Sequence, residues 1–250
     1  MFNHGGKVMF DEFFEVFLAD TEEGMETHYH LRYKVYCEEM GYEDKNLFSK
    51  ELERDEWDKH SVHFIVRHKE TGQWVGAMRM VYQNNAILPL QEFCSIAADV
   101  ESKKNNIEIS RLCLVKEIRR RKTDNEPPLS LDVSADTSHN NKDIHELYSQ
   151  RHINKSLIWG LFRAASVYSQ EKNIDNWYFL GTKALARVIT REGFKMRQVG
   201  DGCDHRGMRY PFKVKMEDII NNSIWSNGFQ QGYRLYSELE SVQQALSKVA

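Results

Sequence analysis

The sequence holds no Cys-x-x-Cys pair; its four cysteines, Cys37, Cys94, Cys113 and Cys203, are widely spaced. Reduced thiols in a cytoplasmic protein are the simplest account of that pattern. No apolar run approaches the roughly 18 residues that a membrane-spanning helix needs. The opening MFNHGGKVMFDEFFEVF has neither a basic leader nor a clean apolar stretch, so it does not read as a secretory signal. A Gly-x-Ser-x-Gly elbow is missing, which argues against a Ser–His–Asp hydrolase. Neither sign of charge dominates: the net charge is −3, and nothing global favours nucleic acid or membrane. The one dense basic run, KEIRRRK, has no interleaved aromatics. Asp58, His60 and His63, or Cys203 and His205, have ligand-like spacing, but neither set gathers four ligands, and no metal is expected.

What is present fits an ordinary globular chain. Its 250 residues are 41% hydrophobic and 28% charged, ample for a sizeable core in one large domain or two small ones. Met9, Phe10, Phe13, Phe14, Phe17 and Leu18 recur at helical spacing and predict an apolar helix, as core or as a lid. Tyr29, Arg32, Tyr36 and Met40 fall on one stripe of a second helix, stopped at Gly41. SVHFIVRH and QWVGAMRMVY read as a hairpin about the turn KETG. IEISRLCLV reads as a strand, with Glu108, Ser110 and Leu112 on one face and Ile107, Ile109, Arg111 and Cys113 on the other. A polar, Asp/Ser/Asn-rich insertion follows at about 122–143. Beyond it come a long helix to Gln170, the strand NWYFLG, a helix closed by Gly193, strands at Phe194–Val199 and RYPFKV, and an amphipathic C-terminal helix. That order gives an α+β domain whose mixed, mostly antiparallel sheet is flanked by helices.

The chain is organised around charges that ought not to be there. Arg79 sits in an apolar strand beside Ala77 and Val81, and a guanidinium is not stripped of water without carboxylate partners. ELERDEWD, just upstream, supplies Glu53, Asp55 and Asp58. Glu108 and Ser110 stand in an equally apolar strand, either facing solvent at an edge or lining a site.

In order, Arg32, Tyr36, Tyr42, Glu53-x-Asp55-x-x-Asp58, Arg79 and Glu108-x-Ser110-Arg111 resemble the acyl-homoserine-lactone (autoinducer) synthase superfamily, which includes the long-chain N-acyl amino acid synthases. LRYKVYCEEMGYE is most similar to the branch associated with bacterial exosortase (PEP-CTERM) systems. ARVITREGFKMRQVG is similar to the family's late helix and strand. The resemblance implies a GCN5-related acetyltransferase (GNAT)-like fold over residues 1–212, with a helical extension at 213–250. It also implies transfer of a fatty acyl chain from acyl carrier protein to the amine of an amino acid or related small molecule. No bound cofactor is implied. Tyr36 and Tyr42 stand where the lactone synthases usually have Phe and Trp, which tells against an S-adenosylmethionine-type substrate. A lactone synthase of the same family and a non-catalytic acyl-binding module are the alternatives.

On that resemblance Glu53, Glu108 and Ser110 are the catalytic candidates, a carboxylate taking the amine's proton directly or through water. Arg32 or Arg111 would grip the acceptor's carboxylate beside Tyr36 and Tyr42. Backbone N–H groups of the Leu112–Leu114 strand would receive the oxyanion. Asp55, Asp58 and Arg79 would form a structural charge cluster. Where coenzyme A-dependent members of this fold place a Gly-rich turn, residues 112–128 contain no glycine, which favours acyl carrier protein over acyl-CoA as donor. Lys116, Arg119, Arg120, Arg121 and Lys122 would dock that acidic carrier.

Overall fold

SVHFIVRH folds as β2 (Ser61–His68) and WVGAMRMVY as β3 (Trp74–Tyr82), and Gly72 takes the positive φ of +70° that their turn requires. In the computed structural model, residues 10–83, 87–96, 105–118, 142–226 and 228–247 are described, with backbone alone for 142–152 and 243–247. The hairpin lies at the middle of a nine-stranded sheet ordered β6-β8-β5-β4-β3-β2-β1-β9, with β7 paired to β8 off this path. Its other strands are β1 (Phe14–Leu18), β4 (Asn106–Leu114), β5 (Asn176–Gly181), β6 (Arg197–Gln198), β7 (Cys203–Asp204), β8 (Met208–Lys215) and β9 (Arg234–Leu235). The β4–β5 and β1–β9 pairs are parallel and the rest antiparallel.

The helices are α1 (Phe10–Phe13), α2 (Glu22–Arg32), α3 (Lys142–Glu171), α4 (Lys183–Arg191), α5 (Met216–Ile220) and α6 (Tyr236–Ser247). Thr21 caps α2 by accepting the Gly24 N–H, and α2 runs on as π-helical turns over Tyr33–Glu39 until Gly41. Gly193, at φ +94°, closes α4 as its sequence suggests.

The two faces of the sheet differ in kind. Phe64, Met78, Met80, Ile107, Ile109, Trp177, Phe179 and Phe212 share one face through the strand registers, and all are buried. α3 covers them, with Phe162 against Trp177 and Phe179, and Tyr168 against Phe64. The opposite face carries His63, Arg79, Glu108 and Ser110, under α2 and the segment 87–96.

Three expectations are corrected. The helix expected over Met9–Leu18 is α1 followed by β1, held between β2 and β9. Phe14, Glu15, Val16 and Phe17 are all buried, so their apolar run reflects a strand covered on both faces rather than a helical stripe. The strand expected at Phe194–Val199 pairs only at Arg197–Gln198. Two of the cysteines expected as free thiols, Cys94 and Cys203, form a disulfide, while Cys37 and Cys113 are free and buried. The Ile96–Gly200 bridge and the contact of the Phe93 and His205 rings bring the two bonded cysteines together.

The division at 212/213 falls inside β8, and the later residues are woven in: β9 extends the sheet, and Ser237 donates to Asp20 through both its N–H and its hydroxyl. The polar insertion lies outside the described residues except where α3 begins. No helix among the described residues is long and apolar enough to cross a membrane.

Candidate active site

The sequence DEWD sets its own geometry. Asp55 caps a 3₁₀ turn at Glu56–His60 by accepting the Trp57 N–H, and Asp58 returns an acceptor to the Asp55 N–H at 2.7 Å. This box fixes both carboxylates over β3. Arg79 Nη1 donates to Asp55 at 2.5 Å and to Asp58 at 2.8 Å, and its Nε donates to Ser110 Oγ at 3.1 Å. From α2, the fully buried Arg32 donates to Glu53 through Nε and to Asp58 through Nη1 at 2.6 Å. Arg111 Nη2 donates to Glu53 and to Asp55, both at 3.1 Å. Three guanidiniums therefore interlock with three carboxylates, the arrangement that removal of charge from water demands.

The network sets protonation. Burial alone would raise the Glu53 carboxyl, but Arg32 and Arg111 hold it below the usual range. Asp58 is likewise resisted by burial yet held at about 2 by Arg32 and Arg79. Glu108 differs. It is buried, accepts the Leu90 N–H at 2.7 Å, and is pushed by burial up to about 8 against the pull of that bond and of Arg79. Glu53 and Glu108 thus lie on the same side of the sheet in opposite states: one saturated by guanidiniums, the other held by a single backbone donor.

Residues 31–125 match the family model of the acetyltransferase (GNAT) domain. The structure is similar to the AHL synthase LasI, with a TM-score of 0.53 and 14% identity over 81% of this chain and 90% of LasI. It is similar also to the CoA-dependent acyl-homoserine lactone synthase BjaI, determined with MTA, at TM-score 0.54 and 13% identity over 83% and 86% of the two chains. The CoA-dependent acyl-homoserine lactone synthase MesI gives a TM-score of 0.52 and 11% identity over 89% and 97%. The chain carries the fold of the GNAT acyltransferases. No curated protein matches the chain.

Within this GNAT sheet β4 departs twice from regular pairing. Its register against β3 passes from Arg79↔Ser110 to Ala77↔Cys113, so a bulge takes Arg111 and Leu112 out of step, and Arg111 has φ +49°. The alternation read from the sequence therefore fails at Arg111, whose side chain joins Ser110 on the cluster side. Against β5, pairing ends at Ile109↔Phe179, although β4 continues to Leu114 and β5 to Gly181. The two strands leave an opening beside the bulge.

Of the remaining expected residues, Tyr36 donates to the Leu112 carbonyl at 3.3 Å, and Arg111 lies over its ring at 5.5 Å. Tyr42 is 43% exposed at the rim. Leu114 is buried beside Gly76, whose missing side chain admits it. Lys116 is exposed, and its N–H donates to Glu39; Arg119, Arg120, Arg121 and Lys122 lie outside the described residues.

Sequence reasoning passed over Leu90, Glu43 and Arg206. Arg206 donates to Glu43 and lies over the Tyr42 ring at 5.9 Å, and Glu43 is also 3.5 Å from Arg111. Only the turn glycine Gly207 hinted that Arg206 tips a hairpin. A separate cavity of about 630 Å³ runs along α2, floored by Leu31, Leu52, Trp74, Val75 and Val115. None of the charged cluster lines it, and the chemistry described above does not use it.

Proposed function

We propose that the protein is an N-acyltransferase that moves a fatty acyl chain from acyl carrier protein to the amino group of an amino acid or related small amine. The observation that carries this reading is Glu108: a buried carboxyl of raised pKa on the bulged strand, beside the opening between β4 and β5. In the reaction the neutral amine attacks the thioester carbonyl, the C–S bond breaks, and the sulfur leaves as a thiolate that takes a proton from water or back from the carboxyl. The amine gives up a proton, which Glu108 accepts directly or through one water. Glu53 is a poor acceptor because two guanidiniums already stabilise its charge. We assign Glu53, with Asp55, Asp58 and Arg79, to holding the bulge in place, and Ser110 to positioning Arg79. Backbone N–H groups at Leu112 and Leu114 would receive the developing oxyanion.

The donor belongs to the same proposal. The absence of glycine from residues 112–128 and the run from Lys116 to Lys122 support an acidic carrier protein, whereas two of the structural relatives are described as CoA-dependent. Kinship with the exosortase-associated bacterial branch is proposed on the sequence resemblance alone. The deciding experiment supplies acylated carrier or acyl-CoA with each standard amino acid and seeks the amide by mass spectrometry. Release of methylthioadenosine from S-adenosylmethionine would favour the lactone synthase instead. Acyl binding without any turnover would leave an acyl-binding module.

A further inference from the structure

We infer that Arg206 receives the carboxylate of the acceptor, releasing Glu43 as it does so. The inference rests on the acyl-transfer reading for its substrate and on the ion pairs for its residue. Arg32 and Arg79, with side chains 0% and 2% exposed, are bound to buried carboxylates, and withdrawing either would orphan those charges. Arg111 is committed to Glu53 and Asp55. None of these three can turn to a ligand without dismantling the cluster, so the grip expected of Arg32 or Arg111 passes to another residue.

Arg206 is built differently. Its side chain is 24% exposed and its ion partner is Glu43. Glu43 lies 3.5 Å from Arg111 as well, so on leaving Arg206 it keeps a guanidinium neighbour. The exchange of one carboxylate for another leaves no buried charge unpaired, which makes it inexpensive where the others are not. A planar guanidinium also suits a carboxylate geometrically, since it can offer two parallel N–H donors.

The mounting is rigid. Arg206 (φ +54°) and Gly207 (φ +87°) make consecutive left-handed residues between β7 and β8, which fixes the direction in which the side chain leaves the turn. Cys203 ties the hairpin to Cys94, and the His205 ring packs against Phe93 with ring centroids 3.9 Å apart. Those partners sit on the segment 87–96, whose Leu90 N–H holds Glu108. The residue assigned to the carboxylate and the group assigned to the proton are therefore braced against one another. Between Arg206 and Arg111 stand Tyr42 and Tyr36, their rings 6.3 Å apart, as an aromatic wall for the acceptor's side chain.

The test compares an accepted amino acid with the amine left when it loses its carboxylate. In wild type the amino acid should be much the better acceptor. Arg206→Gln should raise the KM for the amino acid about tenfold or more, the scale of one charge-assisted bond, with kcat little changed. The same variant should leave the KM for the decarboxylated amine unaltered, and Arg206→Lys should recover part of the loss. Equal loss on both acceptors, with the Cys94–Cys203 bond intact by mass mapping, would overturn the assignment. If wild type acylates neither acceptor, it is the transfer reading that has failed. Saturation-transfer NMR with the standard amino acids then decides Arg206 separately: binding to wild type lost in Arg206→Gln supports the assignment, and no binding or unchanged binding overturns it.

Discussion

The backbone N–H of Leu90 donates to the Glu108 carboxylate at 2.7 Å, so a loop outside the sheet holds the one carboxyl of this site that burial keeps near neutral pH in its titration. Because Glu108 titrates near 8, kcat/KM should rise with pH through that region. Glu108→Gln keeps an acceptor for Leu90 yet cannot take a proton. It should lower turnover by about 10²–10⁴-fold and remove the rise. Stability gives an independent reading. A carboxyl whose folded pKa exceeds its unfolded value favours folding at low pH and loses that contribution as pH climbs from about 4.5 to about 8. Glu108→Gln should therefore lose less stability than wild type between pH 5 and pH 8 in denaturant titrations, and parallel curves would show the carboxyl to be normal.

Arg79→Ala should unfold the protein rather than slow it. The substitution takes from Asp55 and Asp58 their shared partner, leaves Asp55 to Arg111 and Asp58 to Arg32, and empties a buried position in the sheet, at a cost of up to about 3–5 kcal/mol. Circular dichroism and melting of the soluble fraction are sufficient to check this. An unchanged melting temperature would mean that the cluster does not hold the fold.

Much of this arrangement was legible in the sequence, and the exceptions have physical causes. NWYFLG is β5 residue for residue, and two of the three carboxylates proposed for Arg79, Asp55 and Asp58, are its partners, while Glu53 pairs with Arg32 and Arg111 instead. β1 was hidden because both of its faces are covered, which erases the alternation that marks a strand. The placement of Arg111 was hidden because a bulge, having no fixed sequence signature, shifts a side chain across the sheet. Cys94 and Cys203 are separated by 109 residues, and nothing local pairs them. Arg206 lay in a hairpin without a motif, and its partner Glu43 is distant in the chain.

Acid should destabilise the protein in two stages. His28 and His63 lie with ring centroids 4.5 Å apart, tilted at 54°, beside Arg32, Arg79 and Asp58, with Tyr29 against both rings. Burial lowers both, His63 to about 4 despite the opposing pull of Asp58, and His63 lowers His28 further. Their neutral forms support the fold above about pH 6.5, and this is lost as pH falls toward 4. Asp58, lowered from 3.8 to about 2, adds a second loss between those values. Replacing His63 by Phe should flatten the first stage and leave the second. A first stage of the same size in His63→Phe would place its origin elsewhere.

Unreduced protein, denatured and titrated with a thiol reagent, should give the two thiols of Cys37 and Cys113, and four after reduction. Cys94→Ser should lower stability by about 2–4 kcal/mol, the usual scale for a cross-link closing a long loop. It should also hasten exchange of the Leu90 amide, since that loop loses its tether. Four thiols before reduction would mean that the two cysteines stand unbonded.

The carrier's docking surface is the last point at which the molecule can be challenged. An acidic carrier needs a basic face even on a chain of net charge −3. In sequence the run from Lys116 to Lys122 follows β4 directly, and on the proposed reading it would receive the carrier near the end of that strand. Attraction of this kind is screened over about 8 Å at physiological salt and acts mainly on the rate of encounter. Arg119, Arg120 and Arg121 reversed together to Glu should raise the KM for acylated carrier severalfold, with the effect shrinking as salt is added. Transfer from a short acyl thioester without a protein carrier should be almost unchanged. A second exposed basic face exists on α4, where Lys183, Arg187 and Arg191 recur every four residues beside the exposed Leu185 and Val188. Reversal of these three should have little effect if the run is the dock, and the whole effect if α4 is. Equal loss on both donors from either set would mean that the arginines support the fold or the site, and docking by charge would be abandoned.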